Sequence, residues 1–569
     1  MKVCLGQINT TPGDFEGNLA KILLGIDRAN TEQSDVIVFP ELTISGYLSQ
    51  DLVYNAAYID RNLEVLAEIT TYTGRCNPNL YVVVGFIDRN DGLGKPLFNM
   101  AAVIAAGRVV ALYRKQLLPF YDVFDELRYF EPGHDLTILE ICGKKVGIAI
   151  CEDLWNDKGA DDYNYDKNPL SLYREQDVDV ILSLNSSPFV HGKGEQRINV
   201  INPGENISVV YVNQRGGQDE LVFDGQSFVM RDGRLLHLSA SLFEDSYDIV
   251  DLDKPASNPD IQFVKLFDLL VLGLRDYVKK SGFSQIVLAS SGGVDSAVVC
   301  KIACSAVGSE NVHAIRMPSI FSSDHSRSDA IALHENLGCW DYEVPIDHES
   351  VVAMLNSQFS ANTDPENLVT TINDQDHYAS VADENIQARL RDVYVMHFSN
   401  AYGAMPLSTG NKTESACGYY THFDMNFSFA PIKDLYKFQV IDIARQHEDI
   451  PANIWQKAPS AELAHGQTDE ESLMPYAILD PIVRSYVEEY VSTFGGFCSW
   501  FEPLQSVVSS DMDLVSSWVT SGTAEADYNR IVSLIGRMEY KRRQTCPGTK
   551  VSKVAFGIGR RIPIVEKWS

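Results

Sequence analysis

An α/β fold in two domains follows from three features of the sequence. Apolar runs of strand length recur through residues 1–252, with helical stretches between some of them. A polar stretch at 253–260, broken by Pro255 and Pro259, interrupts this pattern. Beyond it, a strand, a glycine-bearing turn and a helix start follow one another at 286–299. At 569 residues the chain is also too long for one core. The expected domains are 1–252 and 261–569, with 253–260 as linker.

In the first domain, strands are expected at 35–39, 81–87, 101–106, 146–150, 178–184, 208–212 and 226–230, and helices at 18–30 and 60–72. That makes an α/β domain rich in sheet. In the second, an amphipathic helix at 262–280 leads into a strand at 286–289. A strand at 313–317 and a helix at 326–337 continue the alternation. Such alternation implies a parallel sheet, doubly wound with helices on both faces, whose ligands bind at the carboxyl ends of the strands. Residues 480–535 read as mostly helical and acidic.

Composition narrows the function. With 45% hydrophobic and 22% charged residues the chain is ordinary globular protein. Forty-seven Lys and Arg against 77 Asp and Glu give a formal charge of −30, which argues against a nucleic-acid partner. A small anionic substrate needs only a local cationic pocket. The first seven residues, Met1 to Gln7, carry no signal-peptide core, and no apolar run approaches the roughly 18 residues of a membrane span. Ten cysteines without a CxxC are then expected as reduced thiols in a cytoplasmic protein.

The most informative segment is Ser290-Ser291-Gly292-Gly293-Val294-Asp295-Ser296, directly after the apolar run 286–289. Backbone N–H groups and serine hydroxyls at a helix N-terminus can hold a pyrophosphate, and so point to ATP. The alternative is an ordinary glycine-rich βα turn. No Gly-Lys-Ser/Thr follows, so the loop is not a Walker A, and no GxGxxG is present. The segment resembles the PP-loop of ATP pyrophosphatases, which cleave ATP to AMP and pyrophosphate while adenylating a carboxylate or carbonyl oxygen. Asp295 beside the phosphates then calls for Mg²⁺ between them.

Glu41, Lys115 and Cys151 each lie at or just beyond the end of an apolar strand. Residues so placed can converge at one sheet edge. A thiol accepts an acyl group only as thiolate, so it needs a base or a nearby cation. Glu41 can take the proton and Lys115 can stabilise the thiolate and the oxyanion. With their flanks, Phe39-Pro40-Glu41-Leu42, Tyr113-Arg114-Lys115 and Cys151-Glu152-Asp153-Leu154-Trp155 resemble the three signatures of the nitrilase superfamily. The resemblance implies an αββα sandwich and a triad that hydrolyses C–N bonds through a thioester. In the glutamine-using branch of that superfamily, Tyr121, Ser187 and Lys193 match glutamine contacts, and Tyr47 and Glu126 match supporting pocket residues. Residues 211–225 extend the match.

In the second domain, Leu407 to Glu414 form another small, polar, glycine-containing turn, and Asn385 and Arg389 are an i, i+4 pair in NIQARLR. SGGVDS, NIQARLR, LSTGNKTE, APIKD, PSAEL and EYKRR, in this order, resemble NAD synthetases. With a nitrilase-like domain in front, nearly the whole chain resembles the glutamine-dependent NAD⁺ synthetase family.

That resemblance implies ATP-dependent amidation of deamido-NAD⁺ through an acyl-adenylate, with ammonia drawn from glutamine and passed internally. It places Thr409 on ATP, Asn385, Glu414 and Lys541 on deamido-NAD⁺, and Mg²⁺ on Asp295 and Glu414. Lys433 and Asp434 are nearby without an assigned role. It also implies small-molecule substrates and a homo-oligomer built on synthetase-domain dimers. Three departures stand out: Ala289-Ser290 in place of the usual Gly-Leu before SGG, Thr413 in place of a common serine, and a 422–428 stretch without the expected glycines.

Overall fold

A computed structural model describes residues 1–155, 165–201, 204, 206–254, 262–362, 375–421, 427–460, 462–464, 470, 473–502 and 512–565. Most of the linker expected at 253–260, and residues 422–426, lie outside the described residues. The chain forms two compact units, Met1–Leu272 and Gly273–Ser569.

The first unit is a sandwich of two six-stranded sheets. Its strands are β1 (Lys2–Gln7), β2 (Val36–Val38), β3 (Tyr81–Arg89), β4 (Leu97–Ala105), β5 (Arg108–Arg114), β6 (Ile138–Ile141), β7 (Lys144–Ile150), β8 (Val180–Asn185), β9 (Ser208–Asn213), β10 (Arg215–Gln218), β11 (Leu221–Asp224), β12 (Phe228–Arg231), β13 (Arg234–Leu238) and β14 (Ser246–Asp251). One sheet runs β14-β1-β2-β3-β4-β5 and the other β13-β12-β9-β8-β7-β6, while β10 and β11 form a separate ladder. The sheets meet through one face of each. Val3, Val38, Val83 and Val103 from the first pack with Ile148, Leu182, Leu184 and Val210 from the second.

Helices cover the outer faces. Helices α1 (Phe15–Thr31) and α2 (Ala56–Thr73) lay Ile22, Ile26, Val65 and Ile69 on Ile37, Val82 and Val84. Helix α3 (Pro169–Glu175) brings Leu170 and Tyr173 against Ile181 and Val209. The order of layers is α, β, β, α. Strands buried on both sides read as unbroken apolar runs, which is why the interior strands other than β1 were legible.

In the second unit the sheet has four parallel strands, ordered β17-β16-β15-β18. They are β15 (Ile286–Ala289), β16 (Val312–Arg316), β17 (Trp340–Glu343) and β18 (Met405–Leu407). Strand β15 is followed by helix Val294–Val307, and β16 by helix Asp324–Leu337. The chain reverses its winding between β15 and β18, so their carboxyl ends open onto one crevice. The expected helix at 262–280 begins at Leu266, and the helical reading of 480–535 corresponds to Tyr476–Glu488, Phe494–Phe501, Met512–Val519 and Ala524–Arg537. Leu479, Ile482, Val515, Tyr528 and Ile531 form their common core. No described helix is long and apolar enough to cross a membrane.

Gly85 on β3 fixes how closely the segment after β2 can approach. A Cβ there would lie 2.4 Å from Leu42 N, 2.9 Å from Pro40 O and 3.0 Å from Glu41 C, all backbone atoms. Gly85→Ala should therefore lower stability by about 1–3 kcal/mol through overpacking. The measurement is the denaturant midpoint of the variant, and a midpoint equal to that of the native protein contradicts this close approach.

Candidate active sites

Three strand ends of the first unit place Glu41, Lys115 and Cys151 together. Glu41 follows β2 by three residues, Lys115 follows β5 directly and Cys151 follows β7 directly. All three are buried. Lys115 Nζ donates to Glu41 Oε1 at 2.6 Å and to both oxygens of Glu126 at 2.8 Å. Asn99 Nδ2 donates to Glu41 Oε1 at 2.7 Å, and Tyr47 OH donates to Glu126 Oε1 at 3.2 Å. Glu41 Oε2 is buried and accepts no hydrogen bond from any described group, leaving it open to a proton. Cys151 sits at φ +46°, a left-handed conformation uncommon outside glycine, at the junction of β7 and the turn Cys151–Leu154.

Asp153 fixes that junction. It accepts from Tyr113 OH at 2.7 Å, Gln116 N at 3.0 Å, Leu117 N at 2.9 Å and Ile150 N at 2.9 Å, tying the end of β7 to the end of β5. The charges are set by burial and by one another. Burial opposes the Lys115 charge, but Glu126 and Glu41 outweigh it and hold the ammonium well above the usual lysine range. Burial, then Glu41, push the Cys151 thiol well up, against the pull of Lys115. Burial pushes Glu126 up to about 7, against Lys115 and with Glu41.

The other expected residues gather around this cluster. Tyr121 OH donates to Glu152 at 2.9 and 3.0 Å. Lys193 Nζ stands 5.4 Å from the ring of Trp155 and 6.0 Å from that of Phe124. Ser187 is held by its backbone, its N–H on Asn213 and its carbonyl accepting from the buried Arg197, which pairs with Asp224 at 2.7 Å. Asn99, Asp153 and Arg197 were not singled out in the sequence. Asn99 had a readable signal, as a lone amide inside the apolar strand Leu97–Ala105.

In the second unit, Ser290–Ser296 close the gap between β15 and helix Val294–Val307. Gly292, at φ +79°, passes so near the next helix that a Cβ would lie 2.2 Å from Ser326 O. Ser296 Oγ donates to Gly293 O at 3.0 Å and braces the turn. Ser290, Ser291, Gly293, Val294, Asp295, Ser296, Thr409 and Glu414 line a cavity of about 300 Å³. Gly292 does not line it and serves the turn instead. Arg316, Arg327, Arg391, Lys437 and Lys457 also face the cavity, beside the carboxylates Asp295, Asp392, Glu414 and Glu462, so a strongly acidic protein gathers five cationic side chains at this cavity.

Asp295 and Glu414 both contact Lys437 Nζ, Glu414 at 3.3 Å. Asn411 Nδ2 donates to Asp295 at 2.9 Å, while Asn411 and Glu414 form a capping box at the start of helix Lys412–Cys417. Two hard carboxylates already converging on one positive charge suit Mg²⁺. Asn385 and Lys541 are not on the cavity wall. Asn385 accepts from Thr421 at 2.6 Å, and Lys541 donates to Gly418 O at 2.8 Å and Tyr420 O at 2.7 Å, so both fasten the wall segment 418–421. Lys433 and Asp434 are buried structural groups: Lys433 donates to Cys546 O and Asp434 caps the N–H groups of Val551 and Ser552. Thr413 donates to buried Asp480. Lys437 went unremarked because a lone lysine at a helix start looks like a solvated one.

Residues 2–257 match the family described as carbon-nitrogen hydrolase, and residues 266–494 match NAD synthase. Fold and sites thus define a carbon-nitrogen hydrolase fused to an NAD synthase. A glutamine-dependent NAD(+) synthetase of Thermotoga maritima is 35% identical over 100% of this chain and 99% of its own. One from Synechocystis sp. is 36% identical over 99% and 98%. The structure of the glutamine-dependent NAD⁺ synthetase from Acinetobacter baumannii in complex with adenosine diphosphate matches with a TM-score of 0.70 at 30% identity, over 100% of this chain and 99% of that one. The chain belongs to the glutamine-dependent NAD(+) synthetase family.

Glu126 supplies a pH test of the first cluster. Its carboxyl binds a proton more tightly in the folded protein than an ordinary one near 4.5. The stability this contributes is full below the ordinary value and is lost as pH rises through about 7. Glu126→Gln removes that titration. Its melting midpoint relative to the native protein should climb by several degrees between about pH 5 and about pH 8. A constant difference across that range contradicts the raised carboxyl.

Proposed function

We propose that this chain makes NAD⁺ from deamido-NAD⁺, ATP and glutamine, the activity its relatives' names carry. The observation behind this reading is that one chain holds both a buried acid–lysine–thiol cluster and a cavity lined by a PP-loop-like turn and five cationic side chains. Glutamine enters over Cys151, near Tyr121, Ser187 and Lys193, with Tyr47 and Glu126 supporting the pocket. Sγ of Cys151 attacks the side-chain amide as Glu41 Oε2 takes the thiol proton. Burial and Glu41 keep the resting thiol neutral, so deprotonation and attack are paired. Lys115 offsets the charge that builds on the amide oxygen. Ammonia leaves, and water cleaves the γ-glutamyl thioester.

In the second site the nicotinate carboxylate of deamido-NAD⁺ attacks the α-phosphorus of ATP. The backbone and hydroxyls of Ser290–Ser296 hold the departing pyrophosphate, and Thr409 contacts ATP. Glu414, Asn385 and Lys541 orient the dinucleotide, the last two by positioning the 418–421 wall. Mg²⁺ on Asp295 and Glu414 would neutralise phosphate charge when bound. Ammonia attacks the acyl-adenylate and yields NAD⁺ and AMP. It passes internally from one site to the other, which keeps it unprotonated.

The domain limits 1–252 and 261–569, a cytoplasmic location and a homo-oligomer built on synthetase dimers belong to the same reading. Family matches that end at 257 and begin at 266 support a boundary near this linker, and ten free cysteines suit the location.

Two variants test the division of labour. Cys151→Ala should abolish glutamine-dependent synthesis and spare synthesis from high ammonium, whereas Asp295→Ala should abolish both. Glutamine use by the first variant, or synthesis by the second, removes that residue from its role. Isotopically labelled external ammonium should label product NAD⁺ only slightly during glutamine turnover, and full labelling contradicts internal transfer.

A further inference from the structure

All ten cysteines are free thiols, and three of them meet away from both proposed active sites. Cys300 and Cys304 lie one turn apart on helix Val294–Val307 and so share a face. Cys339 comes from another part of the fold. It follows Gly338, the left-handed cap of helix Asp324–Leu337, and directly precedes β17. The three Sγ atoms lie within 4.8 Å of one another, with Cys300 and Cys339 at 3.8 Å. A disulfide needs about 2.0 Å, so these sulfurs are not bonded. Tetrahedral thiolate ligands at a Zn–S distance of about 2.3 Å would stand about 3.8 Å apart.

The neighbouring groups leave the three sulfurs to one another. Cys304 is held below the ordinary thiol range, first by hydrogen bonds from Cys300 and Cys339, with Ser309 and Lys301 acting the same way against burial. His334 is close by but is not a ligand. Its Nδ1 faces Asp341 at 2.6 Å and its Nε2 faces Ser290 Oγ at 2.8 Å.

We propose that Cys300, Cys304 and Cys339 form a binding site for one thiophilic d¹⁰ cation of the Zn²⁺ type, with water in the fourth position. The ion would fasten the helix that starts at the phosphate loop to the connection between the next helix and β17. That connection adjoins His334, whose bond to Ser290 reaches the same loop. The site is structural, and it does not depend on the reaction assigned above. Cation binding would release the thiol protons and stabilise the second unit.

The test uses the full-length, reduced, metal-free protein carrying Cys151→Ala, which removes the other buried thiol with a functional environment. Co²⁺ is titrated as the optical probe and then displaced with Zn²⁺. One equivalent of Co²⁺ should produce the sulfur-to-cobalt charge-transfer band and the visible bands of tetrahedral thiolate coordination. Zn²⁺ should abolish them and raise the melting midpoint. Cys339→Ser, at a half-buried position, should weaken Zn²⁺ binding about tenfold or more and remove the rise. Cys142→Ser, at an exposed cysteine, should change neither. Absence of the thiolate bands in folded protein, or unchanged affinity in Cys339→Ser, would mean that the three sulfurs are core packing only. Circular dichroism of each variant confirms that the fold is retained, and Cys304→Ala provides a second substitution in the cluster.

Discussion

A single buried ammonium organises the first unit. Lys115 is fully buried and lies between two carboxylates, Glu41 and Glu126. Removing one partner of such an arrangement typically costs about 3–5 kcal/mol, because a charge is left without compensation in low dielectric. The sandwich is built to keep the three in place. Gly85 admits the Glu41 backbone, Asn99 holds both carboxylates from β4, and Asp153 ties the strand before Lys115 to the strand before Cys151. One oxygen of Glu41 is left over from this network, and it is the oxygen to which we assign the thiol proton.

A lysine has the corresponding position in the second unit. Lys437 draws Asp295 from the loop after β15 and Glu414 from the first turn of helix Lys412–Cys417 toward one point. These two segments are far apart in sequence and meet only because β15 and β18 are neighbours in the sheet. A second buried cluster, Lys412 with Glu488 at 2.8 Å and Asp434 at 3.0 Å, anchors the helix that follows Asn411. The cavity of the second unit thus rests on ion pairs whose partners come from several elements.

What could be read in the sequence was whatever is encoded locally. The strands leading to Cys151 and to the phosphate loop are unbroken apolar runs, and the flanks of Glu41, Lys115 and Cys151 are contiguous signatures. Strands β1, β6, β10, β11, β13, β14 and β17 are not among the expected strands, and β10 and β14 show why. Strand β10, Arg-Gly-Gly-Gln, has two glycines that supply no side-chain pattern, and β14, Ser-Tyr-Asp-Ile-Val-Asp, is half-buried along its length. Lys437, Arg316 and Asn99 acquire meaning only from partners distant in the chain, which no single-sequence pattern shows. The departure Ala289-Ser290 has a local explanation in the fold: the Ser290 hydroxyl meets buried His334, so a polar residue is satisfied there.

The central claim is that two chemistries are coupled in one chain. It is tested most directly by measuring AMP and NAD⁺ formed from ATP, Mg²⁺ and deamido-NAD⁺, in parallel with glutamine and with ammonium as nitrogen source. Equal amounts of AMP and NAD⁺ with both sources are predicted. Product from ammonium alone would contradict the role given to Glu41, Lys115 and Cys151. No AMP from either would contradict the acceptor assigned to the second site.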